Sequence, residues 1–254
     1  MQKEENRKSW EEVLETFLED YKGREEVIGA ILCGSYATGN YTDNSDIDVH
    51  IFTTETGQKE RGVKLIDGVL VEYFINPLSQ SYKYLEDDFK NSRRLADANM
   101  YGNGKILFDK TGAIAKLKCK SLEYYNMPFD APLESRILLN NYVCWDMMDE
   151  IDDKIKRGET YDFIYFLLVK ELISNYYYKN SIATVPFTKI ERIYKDEEYR
   201  KKYHLKNAPS DEFMSLVLDT IDNKSYTSLK RLYDYVLGDF KITDFFLETK
   251  ISDK

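Results

Sequence analysis

The sequence predicts an α+β chain with its strands in the first half and a second half that is helical throughout. Three observations predict this. Apolar, often β-branched runs of strand length recur up to Phe108. From Leu133 onward apolar residues recur only at helical spacing. Between them the pattern changes over residues 112–130, and Met127–Pro132, with its two prolines, reads as the hinge. Two domains are therefore expected, 1–113 and 114–254, each long enough to bury a core.

The elements follow in order. Ser9–Tyr21 reads as an amphipathic helix, with Trp10, Val13, Leu14, Phe17, Leu18 and Tyr21 on one face and Gly23 as its stop. Val27–Cys33 is an apolar strand. Gly34 and Ser35 end it, a short helical turn runs to Gly39, and Asp46–Phe52 is the next strand. Thr53–Gly57 is a polar turn. Arg61–Ile66 and Val69–Ile75 are two strands joined at Asp67-Gly68, a strong hairpin signal, and Pro77 ends the second. Leu78–Lys90 and Ser92–Tyr101 read as helices, Gly102–Gly104 as a turn, Lys105–Phe108 as a short strand and Gly112–Tyr125 as a helix.

Leu133–Arg157 is one long helix that Gly158 stops. Its expected inner face carries Ile137, Leu138, Asn141, Cys144, Trp145 and Met148. Tyr161–Lys179 is nearly all apolar, with Phe163, Ile164, Phe166, Leu167 and Leu168 in succession, and is expected at the centre of the bundle. Two short helices around Thr188–Tyr194 and Asp196–Tyr203, then Asp211–Ile221 and Ser225–Leu237, complete it.

The chemistry gathers between Ile31 and Phe52. Asp46 and Asp48 stand two apart, so a strand turns both to one side with Cα atoms roughly 6.5 Å apart, and they can share a metal ion. Gly34 lets backbone approach an anion closely. The N–H groups that open the short helix favour negative charge at the same place. Phosphate groups held beside a carboxylate pair are what metal-assisted nucleotidyl transfer requires.

Gly34-Ser35, Gly39 and Ser45-Asp46-Ile47-Asp48 together resemble the nucleotidyltransferase superfamily that includes DNA polymerase β and the antibiotic (aminoglycoside) adenylyltransferases. The likeness is specific over residues 27–76; beyond about residue 110 it is one of architecture. It implies a mixed sheet flanked by helices, followed by a helical bundle that binds the acceptor. It implies a Mg²⁺-dependent enzyme that moves a nucleoside monophosphate, AMP from ATP, onto a hydroxyl of a small molecule and releases pyrophosphate. An aminoglycoside-type antibiotic, and so antibiotic resistance, is within its scope. Gly34, Ser35 and Ser45 are then the nucleotide-binding residues, and Asp46 and Asp48 the ligands of one or two Mg²⁺ ions. Glu72 lies within an otherwise apolar strand, where an unpaired carboxylate is costly to bury, and fits the third acid of the superfamily. The resemblance makes it either the base for the acceptor hydroxyl or a further metal ligand; the base is the expectation. Two alternatives stand beside this reading: a protein-modifying or antitoxin-type nucleotidyltransferase, and a catalytically silent nucleotide-binding module.

Composition narrows the partners. The net charge of −9 weighs against a nucleic-acid substrate and suits a small or cationic acceptor. No apolar run is long enough to span a membrane, and Met1–Lys8 is charged with no apolar stretch behind it, so a cytoplasmic protein without a signal peptide is expected. Cys33, Cys119 and Cys144 are widely spaced among apolar neighbours and read as reduced core thiols. Oligomeric state is not set by any of this; a monomer is the expectation. Asp146, Asp149, Glu150 and Asp153 form a stripe along the long helix that reads as a solvated face, as do Lys83, Lys90, Arg93 and Arg94 earlier. Lys170 and Lys189 read as surface lysines, and His50, on the face of the two aspartates, as a satisfied strand histidine.

Overall fold

The computed structural model describes residues 8–55, 58–205, 207–243 and 246. The chain divides into two compact units, Met1–Pro128 with Lys202–His204, and Phe129–Lys201 with Leu205–Lys254. The expected turn at 53–57 falls partly on residues 56 and 57, outside the described residues. Among the described residues no helix is long and apolar enough to cross a membrane.

The first unit is built on a mixed five-stranded sheet. Its strands are β1 (Val27–Leu32), β2 (Ile47–Thr53), β3 (Glu60–Ile66), β4 (Val69–Pro77) and β5 (Lys105–Asp109), in the order β3-β4-β2-β1-β5. Only β2 and β4 run parallel; the other three pairings are antiparallel. Asp67 and Gly68 join β3 to β4 with φ of +48° and +79°, as the two-residue hairpin requires.

Alternation along the central strands sorts chemistry from core. Ile47, Val49 and Ile51 of β2 and Val71 and Tyr73 of β4 pack with Val13, Phe17 and Leu18 of α1 (Trp10–Lys22). A reciprocal cap between Ser9 and Glu12 fixes where α1 starts. Asp48, His50 and Phe52, with Glu72, Phe74 and Asn76, turn to the opposite face. There Tyr101 of α4 (Ala96–Asn103) sets its ring edge-on to both His50 and Phe52.

Two expectations for this unit are corrected. The helix expected from Ser92 starts at Ala96, because α3 (Leu78–Ser92) is capped by Arg93 at φ +49° and the buried Asp88 carboxylate accepts from the N–H groups of Ala96 and Asp97. The turn expected at Gly102–Gly104 is the last turn of α4 and its cap, and α5 (Ala113–Tyr124) then packs against β1 and β5. Arg94 is exposed, as expected, and pairs with the buried Asp88.

The second unit contains α6 (Glu134–Arg157), α7 (Asp162–Lys179), a 3₁₀ turn (Phe187–Lys189), α8 (Ile190–Lys195), α9 (Glu197–Lys201), α10 (Asp211–Asn223) and α11 (Tyr226–Leu237). Buried polar pairs tie the helices: Asn175 donates to Asn141 Oδ1 at 2.8 Å, the Tyr165 hydroxyl to the Thr220 carbonyl at 2.7 Å, and the Tyr177 and Tyr194 hydroxyls meet at 2.8 Å. The helix expected at the centre buries only one face. Tyr165, Leu168, Val169, Leu172 and Ile173 are inside, whereas Phe163 is 82% exposed and Phe166 45%. On α6, Leu138 is exposed rather than internal. The acidic stripe is a solvated face, with Glu150 and Asp153 paired to Arg157 and Lys156. Cys33 and Cys144 are buried free thiols; Cys119 is exposed, contrary to the core reading.

Candidate active site

Three carboxylates converge on one spot. Asp46 ends the loop before β2, Asp48 is the second residue of β2, and Glu72 is its direct register partner on β4. One oxygen from each lies within 4.8 Å of the others. Burial, then the charges of Asp46 and Glu72, raise Asp48 from 3.8 to about 6. Three carboxylates this close are compatible with a bound cation. Three oxygen donors suit a hard divalent ion such as Mg²⁺.

Gly34 explains how Asp48 fits. β1 ends where the Cys33 N–H donates to the Asp48 carbonyl at 2.8 Å, and Gly34 then turns the chain at φ +64° into α2 (Gly34–Thr38). A Cβ at this position would lie 1.8 Å from Asp48 Oδ2. Glycine therefore supplies both the left-handed backbone and the room for the carboxylate. Ser35 is half-buried in the first turn of α2. Ser45 closes the loop before Asp46: its N–H donates to the Thr42 carbonyl and its hydroxyl accepts from the Thr42 N–H, each at 2.9 Å. The structure thus brings Asp46, Asp48 and Glu72 together with Gly34 against them, and Ser45 holds the turn that delivers Asp46.

Sequence reasoning missed Arg61. From β3 it donates through Nε (3.1 Å) and Nη2 (2.6 Å) to Glu72 Oε1, and its guanidinium lies 4.8 Å from the Phe74 ring centre. Both bonds fall on one oxygen. Nothing in the local sequence signals this pair, because the partners are joined by hairpin register.

A cleft of about 470 Å³ opens on the same sheet face, one row beyond the acids; the acids do not line it. His50, Phe74 and Asn76 form its floor, Tyr84, Asp97 and Tyr101 its wall. His50 is buried, stacked on Phe74 at 4.6 Å, and neither ring nitrogen has a hydrogen-bond partner. It is not the satisfied histidine expected, and burial lowers it from 6.5 to about 4, so it is neutral. Burial, aided by the Asp88 charge, raises Asp97 from 3.8 to about 6. Lys170, by contrast, is an exposed side chain paired with Glu171, and Lys189 is exposed.

Residues 11–95, about a third of the chain, match the family model of the nucleotidyltransferase domain. That span runs from α1 past α3 and contains all three acids. The chain therefore carries an N-terminal nucleotidyltransferase domain followed by a helical region. Among solved structures, a nucleotidyltransferase-like protein from Exiguobacterium sibiricum is 14% identical, with 90% of this chain and 76% of that one covered and a TM-score of 0.42. No curated protein matches the chain.

Proposed function

We propose that the chain is a Mg²⁺-dependent adenylyltransferase that moves AMP from ATP onto a hydroxyl of a small molecule, releasing pyrophosphate. The observation that carries the reading is the convergence of Asp46, Asp48 and Glu72 within 4.8 Å, in a span matching the nucleotidyltransferase domain. Asp46 and Asp48 would hold the metal, which when bound offsets negative charge on the phosphates. The backbone at Gly34 and Ser35, supported by the Ser45 turn, receives the β- and γ-phosphates. The acceptor oxygen attacks the α-phosphorus as the bond to pyrophosphate breaks. Glu72 takes the hydroxyl proton. Arg61 keeps that carboxylate oriented by one oxygen and leaves the other for the acceptor. The net charge of −9 supports a small acceptor over nucleic acid.

The test is release of pyrophosphate from ATP by the full chain with Mg²⁺, repeated across hydroxylated small molecules. Acceptor-dependent release that disappears with EDTA supports the reading. Binding of ATP with no turnover for any acceptor would leave a nucleotide-binding module instead.

A further inference from the structure

The acids lie between two different surroundings. β1 and β2 are antiparallel, with Leu32 opposite Val49 and Ile31 opposite His50. α2 therefore stands at the Asp46 end of the acid row, and the cleft at His50 extends the other way along β2. Displacement at phosphorus is in line, so the attacking group enters opposite the departing pyrophosphate. With the phosphates at α2, the acceptor's side is the cleft.

Its lining describes the ligand. His50 is 4% exposed and lines the cleft with both nitrogens unpartnered, an arrangement that proteins otherwise avoid. Asn76 presents a nearly buried amide beside it, and the Asp97 side chain makes no ion pair among the described residues. Asn76 and Asp97 offer donors and acceptors for hydroxyls over the His50 ring. The charged lining is balanced, with Lys59 and Arg61 against Glu60 and Asp97. Lys59, 3.0 Å from the Tyr84 hydroxyl, and Arg61, on Glu72, both line the cleft. The Glu60 carboxylate is turned away and accepts from Tyr73, which packs on Phe17 of α1 across the sheet. The cleft lining therefore offers a polycation no excess of carboxylates, and the neighbouring Asp46 and Asp48 are committed to the metal in the reading above.

We propose that this cleft is the acceptor subsite and that it takes a compact, uncharged, polyhydroxylated ring rather than a polycation. The proposal rests on the nucleotidyl-transfer reading above and narrows its acceptor. A volume of about 470 Å³ admits one such ring with its substituents and is of the size usual for small-molecule sites.

The experiment uses the full chain, Mg²⁺ and ATP labelled at the α-phosphate. The neutral probes are myo-inositol, glucose and adenosine; the cationic probes are kanamycin and neomycin. Label is expected on at least one neutral ring and on neither polycation. With that ring, Asp97→Asn and Asn76→Leu should each raise the acceptor KM by about tenfold or more, with the ATP KM moving less than about twofold. Label on the polycations alone, or an acceptor KM unmoved in both variants, overturns the proposal. Calorimetry with Mg²⁺ and a non-hydrolysable ATP analogue separates the two levels. If the analogue binds and no neutral ring is labelled, the cleft assignment falls and the nucleotide site stands. If the analogue does not bind, the nucleotidyl-transfer reading itself fails.

Discussion

Asp48 is held against a glycine backbone with two other carboxylates beside it, so its charge costs stability unless a cation is present. Asp48→Asn should cut turnover by about 10³-fold or more, the scale of a lost electrostatic contribution to the transition state. Without metal, the same change should leave the fold as stable or more stable at neutral pH. The pH dependence follows from the raised pKa. Native Asp48 holds its proton more tightly than the unfolded chain, whose value is near 3.8, so its contribution is most favourable below that and is lost as pH rises through about 6. The Tm of the variant relative to wild type should therefore climb between pH 4 and 7 in EDTA. A constant difference would mean that Asp48 is not crowded. Glu72→Gln tests a different role. With Glu72 as the base, Mg²⁺ and ATP analogue should bind almost normally while transfer falls by about 10²–10⁴-fold. Weakened metal binding would assign it as a ligand instead.

At the scale of elements, what the sequence discloses depends on how local the cause is. Gly34-Ser35 and Ser45-Asp46-Ile47-Asp48 are legible because a turn and an alternating strand each need only neighbours. Glu72 is legible because a lone acid stands out in Val69–Ile75. Arg61 is not, since its place beside Glu72 comes from the pairing of two strands. The start of α4 is equally hidden: it is set by Asp88, eight residues earlier than the N–H of Ala96 that it accepts from. Phe163 and Phe166 carry the same lesson, because apolar content does not say which face of α7 finds neighbours. Two predictions belong here. Gly34→Ala would place a methyl on Asp48 Oδ2 and strain a left-handed backbone, for a loss of about 1–3 kcal/mol in urea unfolding together with weakened Mg²⁺ binding. Asp88→Ala would strip the caps from α4 and release the half-exposed Arg94 to solvent, at about 1–2 kcal/mol in the same assay. A change below 0.5 kcal/mol, the ordinary range of a surface substitution, would show that the caps are replaced by water.

On the scale of the whole molecule, the two units differ in how they are secured. The first has a sheet between two helical faces; the second relies on helix packing and a few buried amide and tyrosine pairs. Within the sheet, β2 and β4 are bonded on both sides, while β3 has a neighbour on one side only. Asp48 and Glu72 ride on the interior strands, and the Arg61 counter-charge rides on the rim. Amide hydrogen exchange should then be slowest around Asp48 and Glu72 and faster along β3. A molecule that has momentarily shed β3 keeps its acids and loses the arginine that neutralises one of them. Such a species would keep the divalent cation proposed above, so Mg²⁺ should slow exchange in β2 and β4 and leave β3 at its own pace. The ion would act as a late brake on unravelling, one that engages after the rim has opened.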